Sequence, residues 1–146
     1  MDLLNEWIGQ RRHFGLCFID IDRLKYVNDV FGHAEGDRYI LQVAKLLEAF
    51  FERDCLCRLG GDEFMVLAAD IDQKTMEDRL ETMRDCLVAE ELTTQDGTSY
   101  RGSLSYGVVE VTPDNTLPAS EILSLADERM YVYKKAHKME RRDMPT

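Results

Sequence analysis

Four carboxylates stand at places where acids can do chemistry. Asp20 and Asp22 close an apolar run, and Asp62 and Glu63 follow the glycine pair Gly60-Gly61. Carboxylates gathered on one rim are the hard oxygen donors that Mg²⁺ prefers, with water and phosphate oxygens completing the octahedron. Acids also punctuate strand ends and turns with no chemistry attached, so the four carboxylates alone do not decide the matter.

Whether they meet depends on the elements that carry them. Residues 14–19 are an apolar run between Arg-Arg-His and acid, which predicts a buried central strand. Before it, residues 1–9 read as the end of an amphipathic helix through Leu3, Leu4, Trp7 and Ile8. Helical patterning follows over 23–30 and breaks near Gly32. A second helix opens near Gly36-Asp37, with Ile40, Val43, Ala44, Leu47, Phe50 and Phe51 at three-and-four spacing. Runs 55–59 and 63–69 read as two strands joined by Gly60-Gly61-Asp62, a hairpin signal in which glycine would supply positive φ. Residues 73–90 form another amphipathic helix. Asp96-Gly97 marks a turn between short strands, 102–111 a longer strand, and Pro118 or Ala119 the start of a last helix carrying Ile122, Leu125, Ala126 and Met130 inward. If the hairpin lies beside the first strand, Asp20 and Asp62 converge. The order βααββαβα predicts an α/β (α+β) domain, a mixed sheet with helices packed over it.

A chain of 146 residues, 45% hydrophobic and 32% charged, fits one domain over 1–146, with a frayed polar tail from 140. No apolar stretch approaches a membrane span and no secretory pattern opens the chain, so a cytoplasmic location is expected. Three of the four cysteines, Cys17, Cys55, Cys57 and Cys86, fall in apolar runs, which predicts buried reduced thiols. A net charge of −10 with no basic stripe argues against nonspecific nucleic-acid binding. It permits a nucleotide triphosphate if the carboxylates hold divalent cations and a few lysines stand nearby.

Three ordered blocks carry a resemblance. Residues 18–37 match D-x-D…K-x-x-N-D-x-x-G-H-x-x-G-D at every named position, from Asp20 and Asp22 through Lys25, Asn28, Asp29, Gly32 and His33 to Gly36 and Asp37. Arg58-Leu59-Gly60-Gly61-Asp62-Glu63-Phe64 contains an unaltered GGDEF signature, and Ala126-Asp127-Glu128-Arg129-Met130-Tyr131 looks like the A-D-x-A-L-Y helix, with Lys134 in its lysine place. Over residues 14–138 the chain resembles the GGDEF family of diguanylate cyclases.

The resemblance implies a largely antiparallel sheet in a nucleotide-cyclase, palm-like fold, and an enzyme that condenses two GTP into cyclic di-GMP as a homodimer. Two Mg²⁺, for which Mn²⁺ could substitute, would be held by Asp20, the Ile21 carbonyl and Asp62. Asp62 or Glu63 would accept the proton of the attacking 3′-hydroxyl, and Lys25 would stabilise charge on the phosphates. The amides of Arg23 and Leu24 would face the β- and γ-phosphates. Gly60 and Gly61 would let the nucleotide approach the hairpin backbone. Asn28, His33 and Asp37 would bind guanine, since a carboxylate accepts from N1–H and the exocyclic amine that adenine lacks. As plain structure, Asp37 is a helix N-terminal acid and Asn28 a surface residue near a helix end. Lys134 and Lys138, one turn apart, would reach the triphosphate, although Lys135 and Lys138 also fit a solvated basic helix end.

Departures from the pattern matter too. The usual A-K-x-x-G-R-N ending reads Tyr133-Lys134-Lys135-Ala136-His137-Lys138-Met139, so Lys138 keeps the arginine's charge and loses its fork. The R-x-x-D site of product inhibition reads Phe51-Glu52-Arg53-Asp54, with Arg53 at the wrong helical angle, which predicts no strong product inhibition there. No D-x-L-T-G-L-x-N-R opening is present, so a trimmed or naturally short chain is expected, with any upstream sensory or dimerising domain outside it. These departures sustain two alternatives: a GTP-holding regulatory module of weak or no activity, and a product receptor, the latter weakened by Phe51. Relatives making mixed purine dinucleotides are disfavoured by Asp37.

Overall fold

Strand and helix follow each other in the order α1 (Asp2–Gly9), β1 (Phe14–Ile21), α2 (Leu24–Phe31), α3 (His33–Phe50), β2 (Cys55–Arg58), β3 (Glu63–Ala69), α4 (Gln73–Ala89), β4 (Glu91–Thr93), β5 (Ser99–Arg101), β6 (Leu104–Val111) and α5 (Ala119–Ala136) in a computed structural model that describes residues 2–137. Lys138 and the expected tail from 140 lie outside the described residues.

The apolar run takes the inner place that its composition requires. β1 pairs with β3 on one side and β6 on the other in a four-stranded sheet of order β2-β3-β1-β6, with β4 and β5 forming a separate ribbon. All three pairings of the main sheet are antiparallel, so its largely antiparallel character extends to every described pair. Alternation along β1 divides the core. Cys17, Ile19 and Ile21 face a cluster built with α2, α3 and α4, through Val27, Val43, Leu47, Met76, Leu80 and Leu87. Phe14 and Leu16 face the opposite cluster, where α1 contributes Leu4 and Trp7 and α5 contributes Ile122 and Ala126. Each fully buried Leu contributes about 2 kcal/mol by leaving water.

Three expectations need correction. α3 begins at His33, not near Gly36, because a single residue breaks the two helices: Gly32, at φ 95°, ends α2 and opens α3 in a conformation that glycine adopts without strain. Gly60 and Gly61 are not positive-φ residues, so the β2–β3 turn does not need glycine for its backbone. Only Cys17 is buried; Cys55, Cys57 and Cys86 are exposed. Cys55 and Cys57 alternate with Leu56 on the edge strand β2, and only Leu56 turns to the core.

Candidate active site

The antiparallel register sets the rim. Asp20 pairs with Glu63 across β1 and β3, and the Ile21 amide donates to the Asp62 carbonyl at 2.9 Å. Backbone pairing therefore brings the strand end of Asp20 beside the hairpin tip of Asp62, as expected, with Ile21 and Glu63 alongside. Asp62 and Glu63 are exposed, whereas Asp20 is 5% exposed.

Asp20 is the unusual group. Its Oδ2 accepts from Lys134 Nζ, and its Oδ1 is a buried atom without a hydrogen-bond partner in the described structure. Burial pushes its carboxyl up to about 6; the Lys134 ammonium opposes that rise and the Asp62 carboxylate adds to it. A buried carboxylate oxygen without a donor, beside a second carboxylate, fits a divalent cation. Asp20, Ile21 and Asp62 are the residues that could hold one.

Asp22, two residues on, is committed elsewhere. Its oxygens accept from Ser103 Oγ and Ser105 Oγ, both at 2.8 Å, and its carbonyl accepts from the Tyr39 hydroxyl at 2.8 Å. Tyr39 Oη also receives the Ser103 amide at 2.8 Å. This network ties the end of β1 to the start of β6 and so fixes the chain on which Asp20 and Ile21 sit.

The remaining expected residues lie on α2, α3, the β2–β3 turn and α5. Arg23 caps α2 in the left-handed region, φ 63°, with its guanidinium carbon 4.6 Å from the Tyr26 ring centroid. Non-glycine residues rarely adopt that conformation, and it turns the chain from the acidic strand end into the helix. Leu24 opens α2 and Lys25 is exposed in its first turn. Asn28 is half-buried against α3, where Gly36 leaves room: a β-carbon at Gly36 would overlap Asn28 Oδ1. His33 and Asp37 are exposed in the first turns of α3. Gly60 and Gly61 have nothing within 4 Å of where a β-carbon would lie. Lys134 reaches the rim, but onto Asp20.

Several contributors were not singled out from sequence. Arg58 donates through Nε to the Gly60 carbonyl and through Nη2 to the Gly61 carbonyl, each at 3.0 Å, shaping the turn in the absence of a φ requirement. Its place two residues before the glycine pair was the available signal. Ser103 and Ser105 also escaped notice, a Ser-x-Ser opening of a strand being their visible trace, and Gly36 was read as a motif glycine without its packing on Asn28.

The R-x-x-D region is built differently. Phe51 is buried at 2% exposure, Arg79 of α4 lies with its guanidinium carbon 5.2 Å from the Phe51 ring centroid, and Arg79 Nη1 stands 3.5 Å from Asp54 Oδ2. Arg79 and Asp54 border a groove of about 760 Å³ between α3, β3 and α4, away from the carboxylate rim.

Comparison with known proteins identifies the family and the fold. Residues 2–140 match the family described as diguanylate cyclase, GGDEF domain. The chain is 35% identical over 124 residues to the diguanylate cyclase DgcP of Escherichia coli, covering 82% of this chain and 35% of that protein. It is 32% identical over 133 residues to the diguanylate cyclase TpbB of Pseudomonas aeruginosa, covering 90% and 30%. It thus spans about a third of these relatives. Among solved structures, the GGDEF domain of TpbB (YfiN) superposes with a TM-score of 0.76 at 28% identity, covering 92% of this chain and 81% of that one. The GGDEF domain of DgcB from Caulobacter crescentus, solved with c-di-GMP, gives a TM-score of 0.83 at 24% identity, covering 92% and 82%, a likeness of fold. The chain belongs to the GGDEF domain family of diguanylate cyclases.

Proposed function

We propose that this chain, acting as one catalytic domain over 1–146, condenses two GTP into cyclic di-GMP and releases two pyrophosphates. The observation that carries the reading is the buried Asp20 Oδ1, a carboxylate oxygen with no donor, placed by strand register beside Asp62. In each of two equivalent steps, the 3′-oxygen of one GTP bonds to the α-phosphorus of the other as the α–β bridging bond breaks and pyrophosphate leaves. The hydroxyl proton passes to Asp62 or Glu63. Mg²⁺ held by Asp20, Ile21 and Asp62 would supply charge to the α-phosphate and acidify the hydroxyl, and Mn²⁺ could replace it.

The protein's own groups do the rest. Asn28 and Asp37 bind the guanine edge with His33 beside them, and the close packing of Asn28 on Gly36 supports a fixed amide. Arg23, Leu24 and Lys25 open α2 toward the phosphates, joined by Lys134 and Lys138. The open space over Gly60 and Gly61 supports a nucleotide lying across the hairpin. One domain holds one GTP, so catalysis requires two copies face to face, driven by an upstream sensory or dimerising domain. A GTP substrate places the reaction in the cytoplasm, and no described helix is long and apolar enough to cross a membrane. Phe51 in place of arginine supports turnover without strong product inhibition at that site.

One observation favours a second reading, a GTP-holding regulatory module: the Lys134 ammonium already occupies one oxygen of Asp20. Incubation of concentrated protein with GTP and Mg²⁺, with chromatographic resolution of products, separates the two. Cyclic di-GMP that disappears in Asp62→Ala is the expected result. GTP binding without product at any protein concentration would install the regulatory reading.

A further inference from the structure

The last turn of α5 is held by contacts that an A-K-x-x-G-R-N ending would not make. Tyr133 and His137, standing in its alanine and glycine places, stack with ring centroids 3.9 Å apart and planes 16° from parallel. Tyr133 also packs on Tyr106 of β6, with centroids 4.4 Å apart. Both tyrosine hydroxyls donate to one oxygen of α4, Glu81 Oε2, at 2.8 Å from Tyr106 and 2.9 Å from Tyr133.

Behind that carboxylate stands Arg84, 6% exposed, with Nη1 4.0 Å from Glu81 Oε1. Its guanidinium carbon is 5.8 Å from the Tyr133 centroid and its Nε donates to the Leu104 carbonyl at 3.3 Å. Leu104 is the register partner of Ile21, so the brace is anchored to the same strand ends that carry the rim.

Lys134 follows Tyr133 directly. Adjacent helical residues point about 100° apart, so the rotation that docks Tyr133 on Glu81 also dictates where Lys134 points. It points at Asp20. Aim has added value in this chain because position 138 carries a lysine, without the fork that grips phosphate by geometry.

We propose that Glu81, acting through the Tyr133 hydroxyl, is a positioning residue that fixes the last turn of α5 and holds Lys134 at the Asp20 rim, where it would meet the triphosphate. This rests on the reading of Lys134 as a triphosphate-binding residue. The brace is particular to a chain with tyrosine at 133, since alanine offers no hydroxyl to Glu81.

The test is calorimetric titration, with Mg²⁺, of a GTP analogue whose α,β bridge is methylene and which cannot release pyrophosphate. Tyr133→Phe should weaken binding about fivefold, and Glu81→Gln, whose amide oxygen still accepts, should stay within about twofold of the parent. Lys134→Ala should weaken binding more, and Tyr133→Phe should then add nothing to it. Melting temperatures of Tyr133→Phe and the parent should agree within a few degrees. Parental affinity in Tyr133→Phe, or a full Tyr133→Phe effect in the Lys134→Ala background, overturns the positioning role and leaves the Lys134 reading standing. Parental affinity in Lys134→Ala overturns both.

Discussion

Asp20 and Asp22 sit two residues apart at one strand end and are equally hidden, at 5% and 4% exposure, yet their carboxylates are used in opposite ways. Asp22 has a serine hydroxyl on each oxygen and a tyrosine hydroxyl on its carbonyl. Asp20 has a lysine on one oxygen and no donor on the other, and its carboxyl is raised to about 6. A buried carboxylate with a donor on each oxygen is held as scaffold. One with an oxygen left without a donor costs the fold stability, which makes Asp20 the candidate place for a ligand that offsets the cost. Separation comes from the strand end itself: Asp20 is still in the ladder, while Asp22 lies beyond Ile21, where the chain turns toward Ser103.

The largest expected effect breaks this comparison on the functional side. Asp20→Asn preserves shape and removes the charge that would hold a cation. Turnover of GTP should fall by about a thousandfold or more, measured as product formed at saturating Mg²⁺. Cooperative thermal unfolding should persist, because the substitution removes an under-satisfied buried charge. Retention of even a tenth of the activity would remove Asp20 from the metal site.

On the structural side, Asp22→Ala leaves two buried serine hydroxyls without their acceptor. Urea unfolding should show a loss of about 3 kcal/mol with an unchanged slope. An effect below about 0.5 kcal/mol would mean that Ser103 and Ser105 find other partners and that Asp22 is not the tie between β1 and β6.

A smaller effect sharpens the contrast through pH. Asp20 has a folded pKa above that of the unfolded chain, so between about pH 4 and pH 6 the folded state binds more protons and loses stability as pH rises. A divalent cation competes with that proton. The increase in melting temperature produced by Mg²⁺ should therefore be larger at pH 7 than at pH 5, and Asp20→Asn should abolish the difference. An Mg²⁺ effect independent of pH across this window would place the cation away from Asp20.

Much of the rim was legible because local spacing encodes it. An apolar run ending in Asp20 and a glycine-bearing turn ending in Asp62 become neighbours once the hairpin pairs antiparallel, and the register does pair Asp20 with Glu63. What stayed hidden depends on contacts between distant elements. Lys134 lies 114 residues from Asp20, and Tyr133 lies 52 from Glu81, so no periodicity could reveal either pair. The cysteines failed for a different reason: apolar composition does not distinguish the inner strand of Cys17 from the edge strand of Cys55 and Cys57. The α3 start failed because the helix resumes immediately after one glycine, where the sequence pattern suggested a longer break.

The contrast between filled and open space recurs in two glycines, and it yields the smallest and most specific prediction. A β-carbon at Gly36 would overlap the Asn28 amide, so Gly36→Ala would force the candidate guanine-binding side chain to move. A β-carbon at Gly60 would meet nothing within 4 Å, and the residue is not among those with positive φ, so neither packing nor backbone conformation demands glycine there. Gly60→Ala should accordingly leave the melting temperature within about 2 °C of the parent. If a nucleotide lies against this hairpin, the added methyl meets the nucleotide instead of the protein. The KM for GTP should then rise about tenfold, since the methyl removes binding without touching the carboxylates that would perform the reaction. A raised KM at unchanged melting temperature assigns the open space to substrate; unchanged kinetics would mean that GTP approaches the carboxylates from the other side of the rim.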